Sequence, residues 1–251
     1  MINFDNIIAV SSSTSDFLQI FKDSFSEINE LFSEAHEVIL SACYRNPGLS
    51  PSMKSTSQIA LAQRWLKKYK NSFERRVSQR VSNPPGTVAD SIVETIIKAR
   101  LTGLTITHLE QIKYAHRLSM SAENIQGLLL EEFLAEQLAD FGWFCCWGEV
   151  LRHVDFCHKD GSLLQIKNRS NSENSSSSRV RINQPIEKWY RVDAQTGNFQ
   201  WSYFNQKHNT DQFSEESFVE FVRKTLKRNP RALPVEVGNP WQSSSKSSRQ
   251  S

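Results

Sequence analysis

The feature that most constrains this chain is an abrupt change of hydrophobic period at Gly142. Before it, apolar residues recur at steps of three and four, the spacing of helices that bury one face. After it come short runs of strand formers: Trp143–Trp147, Val150–Phe156 and Ser162–Ile166. They are separated by Gly148 and by Lys159-Asp160-Gly161, the second of which is a hairpin-turn signal. A chain ordered helix, strand, strand, turn, strand belongs to the α/β class, with a sheet packed against helices.

Within the helical part, Phe17, Ile20, Phe21, Phe25, Ile28, Leu31 and Phe32 predict one apolar stripe on an acidic helix, broken by Asn46-Pro47-Gly48 and Pro51. A second helix is expected over roughly Thr56–Val81 and a third over Val88–Ala99, with Asn83-Pro84-Pro85-Gly86 between them. Thr107–Arg117 reads as a short helix. Another starts at Ser121 as N-cap, with Glu123 in its first turn, and closes at Asp140-Phe141-Gly142. Further on, Phe199–Phe204 is compatible with a strand and Glu215–Lys227 with an amphipathic helix. The expected division is a helical lobe over 1–104, a core over 105–240, and a disordered Ser-rich tail over 241–251.

No apolar run approaches the ~18–20 residues of a membrane span. Met1–Val10 carries Asp5 and no Lys or Arg, unlike a secretory signal. The chain therefore reads as soluble and cytoplasmic, with Cys43, Cys145, Cys146 and Cys157 kept reduced. A net charge of +3 says little, but charge is segregated. Residues 1–40 hold seven acids against Lys22 alone, while 64–80 hold Arg64, Lys67, Lys68, Lys70, Arg75, Arg76 and Arg80 against Glu74. The tail from Arg223 is basic again. Such segregation suits a polyanion-binding surface, and solvated helix faces would produce it equally well.

The residues that can carry chemistry sit around the hairpin. Asp155 precedes the turn; Gln165 and Lys167 flank Ile166 on the returning strand. Residues two apart on a strand share a face, and the turn brings Asp155 back to that pair. Glu123 or Glu131 on the preceding helix can join them. Carboxylate and amide oxygens suit a hard divalent cation such as Mg²⁺, and an ammonium beside it can orient water and stabilise developing charge. An ordinary polar edge of a half-buried sheet would look the same. Zinc is disfavoured: Cys145, Cys146, His153, Cys157 and His158 contain no C-x-x-C pair, and adjacent cysteines point to opposite faces.

This acid, hairpin, x-Lys order resembles the PD-(D/E)xK nuclease superfamily, with Gln165 where the family has a second acid. The stretch Leu163–Arg179 with its serine block resembles the SinI-type type II restriction endonucleases. So do Glu123-Asn124 with Gly127 and Glu131, Gly142-Trp143, Trp147-Gly148, and Ile186 with Lys188-Trp189. The resemblance spans about Arg117 to Phe204. It implies a restriction-endonuclease-like central mixed β-sheet flanked by helices, in a bacterial enzyme. It also implies Mg²⁺-dependent cleavage of double-stranded DNA at a near-palindromic GGWCC-type site (W being A or T), leaving 5′-phosphate ends. A homodimer would match such a site, and a cognate DNA methyltransferase would act on the same sequence. Asp155, Gln165 and Glu131 are the expected metal ligands, and Asp155, Gln165, Lys167 and Glu123 the expected catalytic group.

After Lys167, the residues Asn168, Arg169, Asn171, Glu173, Asn174 and Arg179 have donors and acceptors suited to base edges. Ser175 and its neighbours suit phosphates, as do Lys188 and Arg191. A flexible Ser-rich linker is the plain alternative for 170–178. A catalytically silent, sequence-specific DNA-binding protein is the alternative for the whole chain, because Gln165 removes a charge from the metal site.

Overall fold

The computed structural model of the protein describes residues 1–84, 90–170 and 185–242. Its main sheet has four strands in the order β3-β4-β5-β6: β3 Trp143–Cys145, β4 Phe156–His158, β5 Leu163–Arg169 and β6 Ile186–Val192. The first two pairings are antiparallel and β5–β6 is parallel. The sheet is thus mixed, as expected. A small antiparallel pair, β1 Ile2–Asn3 with β2 Lys54–Ser55, ties the N-terminus down.

Helices cover both faces. α1 (Phe4–Val10), α2 (Thr14–Glu27), α3 (Glu34–Arg45) and α4 (Gln58–Glu74) form the N-terminal lobe. α5 (Ser91–Arg100) follows, then the long α6 (Ile106–Leu138), and later α7 (Ser202–His208) and α8 (Glu215–Arg228). The strand pleat sorts side chains between two cores. Cys146, Cys157 and Leu163 join Phe17, Phe21, Phe25 and Trp65 of the lobe. Cys145, Phe156, Leu164 and Ile166 join Leu129, Phe133, Trp189, Trp201 and Phe204 on the other side. The adjacent cysteines separate as the pleat requires, and all four thiols are free and buried.

The structure corrects several local expectations. The stripe from Phe17 to Phe32 is helical only as far as Phe25: α2 ends at Glu27 with Ile28 as its C-cap, and Leu31 and Phe32 lie in the connection to α3. Asn29 adopts a left-handed conformation (φ 54°), Glu30 N–H donates to Phe25 O at 2.9 Å, and Ser33 with His36 opens α3 as a capping box. Leu31 falls in the break and is exposed. Ser121 does not begin a helix. Thr105 caps α6 together with His108, and no proline interrupts the strong helix formers that follow. Ser121 is buried mid-helix, its hydroxyl donating to Arg117 O at 3.0 Å. Gly142, with φ 80°, then ends the run after a 3₁₀ turn.

Residues 150–154 are irregular, and β4 starts only at Phe156. Phe199 makes one isolated bridge to Val192 before α7 begins, where a strand to Phe204 was expected. Trp201 explains this: its indole N–H donates to Glu215, and its ring packs edge-on against Phe133 in the core.

Candidate active site

The register of the hairpin builds the site. Phe156 pairs with Leu164, so Asp155, in the bend just before β4, lies across from Gln165. Asp155 still holds ladder bonds, donating its N–H to Leu164 O at 2.9 Å and accepting Cys146 N–H at 2.8 Å. Its carboxylate accepts the Ile166 N–H at 2.7 Å, which fixes it against the returning strand. Gln165 and Lys167 point the same way because they are two apart on β5. Nearer the turn, that face carries Leu163 and Cys157, dry under the N-terminal lobe. Beyond the lobe's edge it opens into a cleft of about 550 Å³.

Asp155, Gln165, Lys167 and Glu131 all line this cleft. Glu131 comes from α6. Burial pushes its carboxyl up to about 8, the nearby Asp155 charge pushes in the same direction, and the Lys167 ammonium opposes both. Two carboxyl groups crowded in a partly dry cleft are an arrangement that a cation relieves. Among the described residues no three His, Cys, Asp or Glu side chains form a cluster, which accords with an amide at 165. The donor set of Asp155, Glu131 and the Gln165 oxygen fits a hard ion that takes one or two carboxylates and completes its shell with water and phosphate.

Glu123 is not brought to this place. It lies eight residues before Glu131, about 12 Å along the helix, and faces a different groove between α6 and α8. Its partner there is the Ser119 hydroxyl, at 3.4 Å. Without the expected helix start at Ser121, its placement in a first turn disappears as well.

The DNA-reading residues divide. In the parallel register Gln165 pairs with Lys188 and Lys167 with Tyr190, so the exposed Lys188 lies on the cleft face of the sheet. Arg169 continues that face, exposed at the end of β5. Asn168 points the other way and is half-buried. Asn171, Glu173, Asn174, Ser175 and Arg179 lie outside the described residues. Arg191 is not available to phosphate: it is buried, with Nη1 2.5 Å from Glu215. It alternates with Tyr190 and so falls on the core face.

Two arginines of the basic run that the sequence suggested as a clamp on the DNA backbone, Arg75 and Arg76, line the cleft together with Ser72; the wall formed by Trp147, Gly148, Glu149 and His153 from the loop after β3 was not anticipated. Glu149 and His153 both have positive φ, at 56° and 62°; for residues other than glycine this is strained backbone of the kind that gathers at functional sites. Nothing in the sequence located the strained pair.

A model of the SinI restriction endonuclease family matches residues 8–228. The chain belongs to that family. It is 42% identical over 160 residues to the type II restriction enzyme Eco47I of Escherichia coli, covering 62% of this chain and 69% of that one. It is 33% identical over 217 residues to the type II restriction enzyme SinI of Salmonella infantis, covering 84% and 94%. This member of the SinI family is therefore an enzyme of the type II restriction class, a site-specific deoxyribonuclease. Among its described residues no helix is long and apolar enough to cross a membrane.

Proposed function

We propose that the cleft hydrolyses one phosphodiester bond in each strand of double-stranded DNA, with Mg²⁺ held by Asp155, Glu131 and the side-chain oxygen of Gln165. The observation that carries this reading is the Asp155 carboxylate, tied to the Ile166 N–H at 2.7 Å in the cleft that also holds Glu131, Gln165 and Lys167. A bound Mg²⁺ would supply neutralisation of phosphate charge and a lowered pKa for water at the site.

The protein's own groups do the rest. Asp155 is held rigid by the strand. Lys167 opposes the rise of the Glu131 carboxyl and so favours its ionised, ligand-competent form. The same ammonium would stabilise charge building up on the phosphate oxygens. Gln165 contributes a neutral oxygen, and Glu131 makes up the charge that an acid at 165 would have carried. Water attack on phosphorus would leave a 5′-phosphate and a 3′-hydroxyl.

The recognised sequence is a near-palindromic GGWCC-type site, read from the segment that follows Lys167, beginning with Arg169. A two-fold site calls for a two-fold protein, hence a homodimer working in the cytoplasm. A methyltransferase that modifies the same sequence protects the host DNA.

The test is digestion of unmethylated phage DNA with and without Mg²⁺, followed by sequencing of fragment ends, with Asp155→Ala run beside the wild type. Discrete fragments ending at one such motif, only with Mg²⁺, are expected. Asp155→Ala should lose cutting by about a thousandfold while retaining DNA binding. Intact DNA with every divalent metal, and binding retained, would overturn the reading in favour of a silent DNA-binding protein.

A further inference from the structure

The cleft has a second wall, supplied by the C-terminal end of α4. Ser72, Arg75 and Arg76 line the same cavity as Glu131, Asp155, Gln165 and Lys167. The helix is set down firmly on the loop after β3. Lys68 Nζ donates to Glu149 O at 3.1 Å, and Trp65 Nε1 donates to Val150 O at 3.3 Å. Gly148 is so close to the helix that a Cβ there would collide with the Ser72 hydroxyl and lie 2.8 Å from Lys68 O.

Just past the helix, the two neighbouring arginines differ. Arg76 is committed inward: its Nε lies 3.4 Å from the buried Glu132 carboxylate and its guanidinium rests 3.7 Å over the Phe73 ring. Glu132 also accepts the Ser78 N–H at 3.1 Å, which locks this corner onto α6. Arg75 is exposed at the cleft and forms no ion pair among the described residues. An always-charged, planar group left uncommitted beside a site for a polyanion is suited to gripping phosphate.

We propose that Arg75 contacts a backbone phosphate of the DNA strand lying against Asp155 and Lys167, and that the Arg76–Glu132 pair and Gly148 hold it in position. The inference rests on the reading of the cleft as the hydrolytic site. It makes the N-terminal lobe one jaw of the DNA-binding cleft.

The experiment compares wild type, Arg75→Ala and Arg75→Lys as full chains, for metal-free binding to a duplex carrying the site across a salt series and for cleavage with Mg²⁺. Arg75→Ala should bind roughly tenfold more weakly at low salt. Its plot of log K against log salt should be shallower by about one, as follows when one phosphate is no longer neutralised by the protein. KM should rise by more than kcat falls, and Arg75→Lys should recover the salt slope with an unchanged thermal midpoint. Arg75→Ala with the wild-type slope and KM would overturn the proposal whatever Asp155→Ala does. An Asp155→Ala enzyme that still cuts would instead overturn the reading of the cleft and sever Arg75 from the scissile phosphate, while a shallower slope would still mark Arg75 as binding DNA.

Discussion

One face of the central sheet does two jobs. Near the hairpin turn it presents Cys157 and Leu163, sealed beneath Phe21, Phe25 and Trp65 of the N-terminal lobe. A few residues further along the same strands it presents Asp155, Gln165 and Lys167 to an open cleft. Backbone geometry is shared, and the pleat delivers both sets of side chains to one side. The difference is cover: the lobe ends at Ser72–Arg76, and past that edge the face lines a cleft that admits the polar groups Asp155, Gln165 and Lys167. A half-covered sheet face therefore yields a rigid platform for a polar site, anchored by the dry half next to it.

Removing the central charge of the open half should have the largest effect. Lys167→Ala should lower kcat by about a hundred- to a thousandfold, read by single-turnover cleavage, with DNA affinity changed only several-fold. A loss confined to affinity would mean that Lys167 binds DNA without serving the chemistry. Leu163→Ala attacks the dry half: a buried leucine truncated to alanine should cost roughly 2–5 kcal/mol of stability, read by denaturant unfolding. Cleavage per folded molecule should stay within about threefold, since Leu163 is packed under the lobe and does not line the cleft. If the two halves were mechanically inseparable, the chemistry would fall with stability.

Protons distinguish the halves as well. Burial raises the folded-state carboxyl of Glu131 to about 8 from an ordinary value of 4.5. Its contribution is fully present below pH 4.5, where both states are protonated, and is lost as pH rises through about 8, because the unfolded chain ionises first. The metal-free thermal midpoint should therefore decline between those values, less steeply in Glu131→Gln and less steeply with saturating Mg²⁺. Parallel profiles for wild type and Glu131→Gln would place the pH sensitivity elsewhere. The smallest effect belongs to Gln165→Glu. Adding the acid that the wider superfamily pattern carries should lower the Mg²⁺ concentration for half-maximal cutting several-fold while further destabilising the metal-free protein.

Much of the site was readable because it is local. Asp155, Gln165 and Lys167 lie within 13 consecutive residues around one turn, and period-two geometry places them together without knowledge of the rest. Glu131 was expected as a metal ligand and Glu123 in the catalytic group, but the residues alone left open which of the two completes the site, since helix phase relative to a sheet depends on packing. The continuous α6 settled where each of them lies. Arg75, Glu149 and His153 reach the cleft from elements whose docking no local pattern encodes. Arg191 shows the opposite failure: it looks like a phosphate ligand in sequence, yet it alternates onto the core side and is buried against Glu215.

What the sequence determined alone was the order of periods, the hairpin and the short-range grouping of acid, amide and ammonium, because these follow from bond geometry over a few residues. Tertiary structure decided where α4 ends relative to the sheet. That edge divides the dry half of the face from the cleft. Its position depends on hydrogen bonds between residues 80 or so apart in the chain, Trp65 to Val150 and Lys68 to Glu149, whose formation depends on burying the whole lobe against the sheet rather than on the preference of any segment.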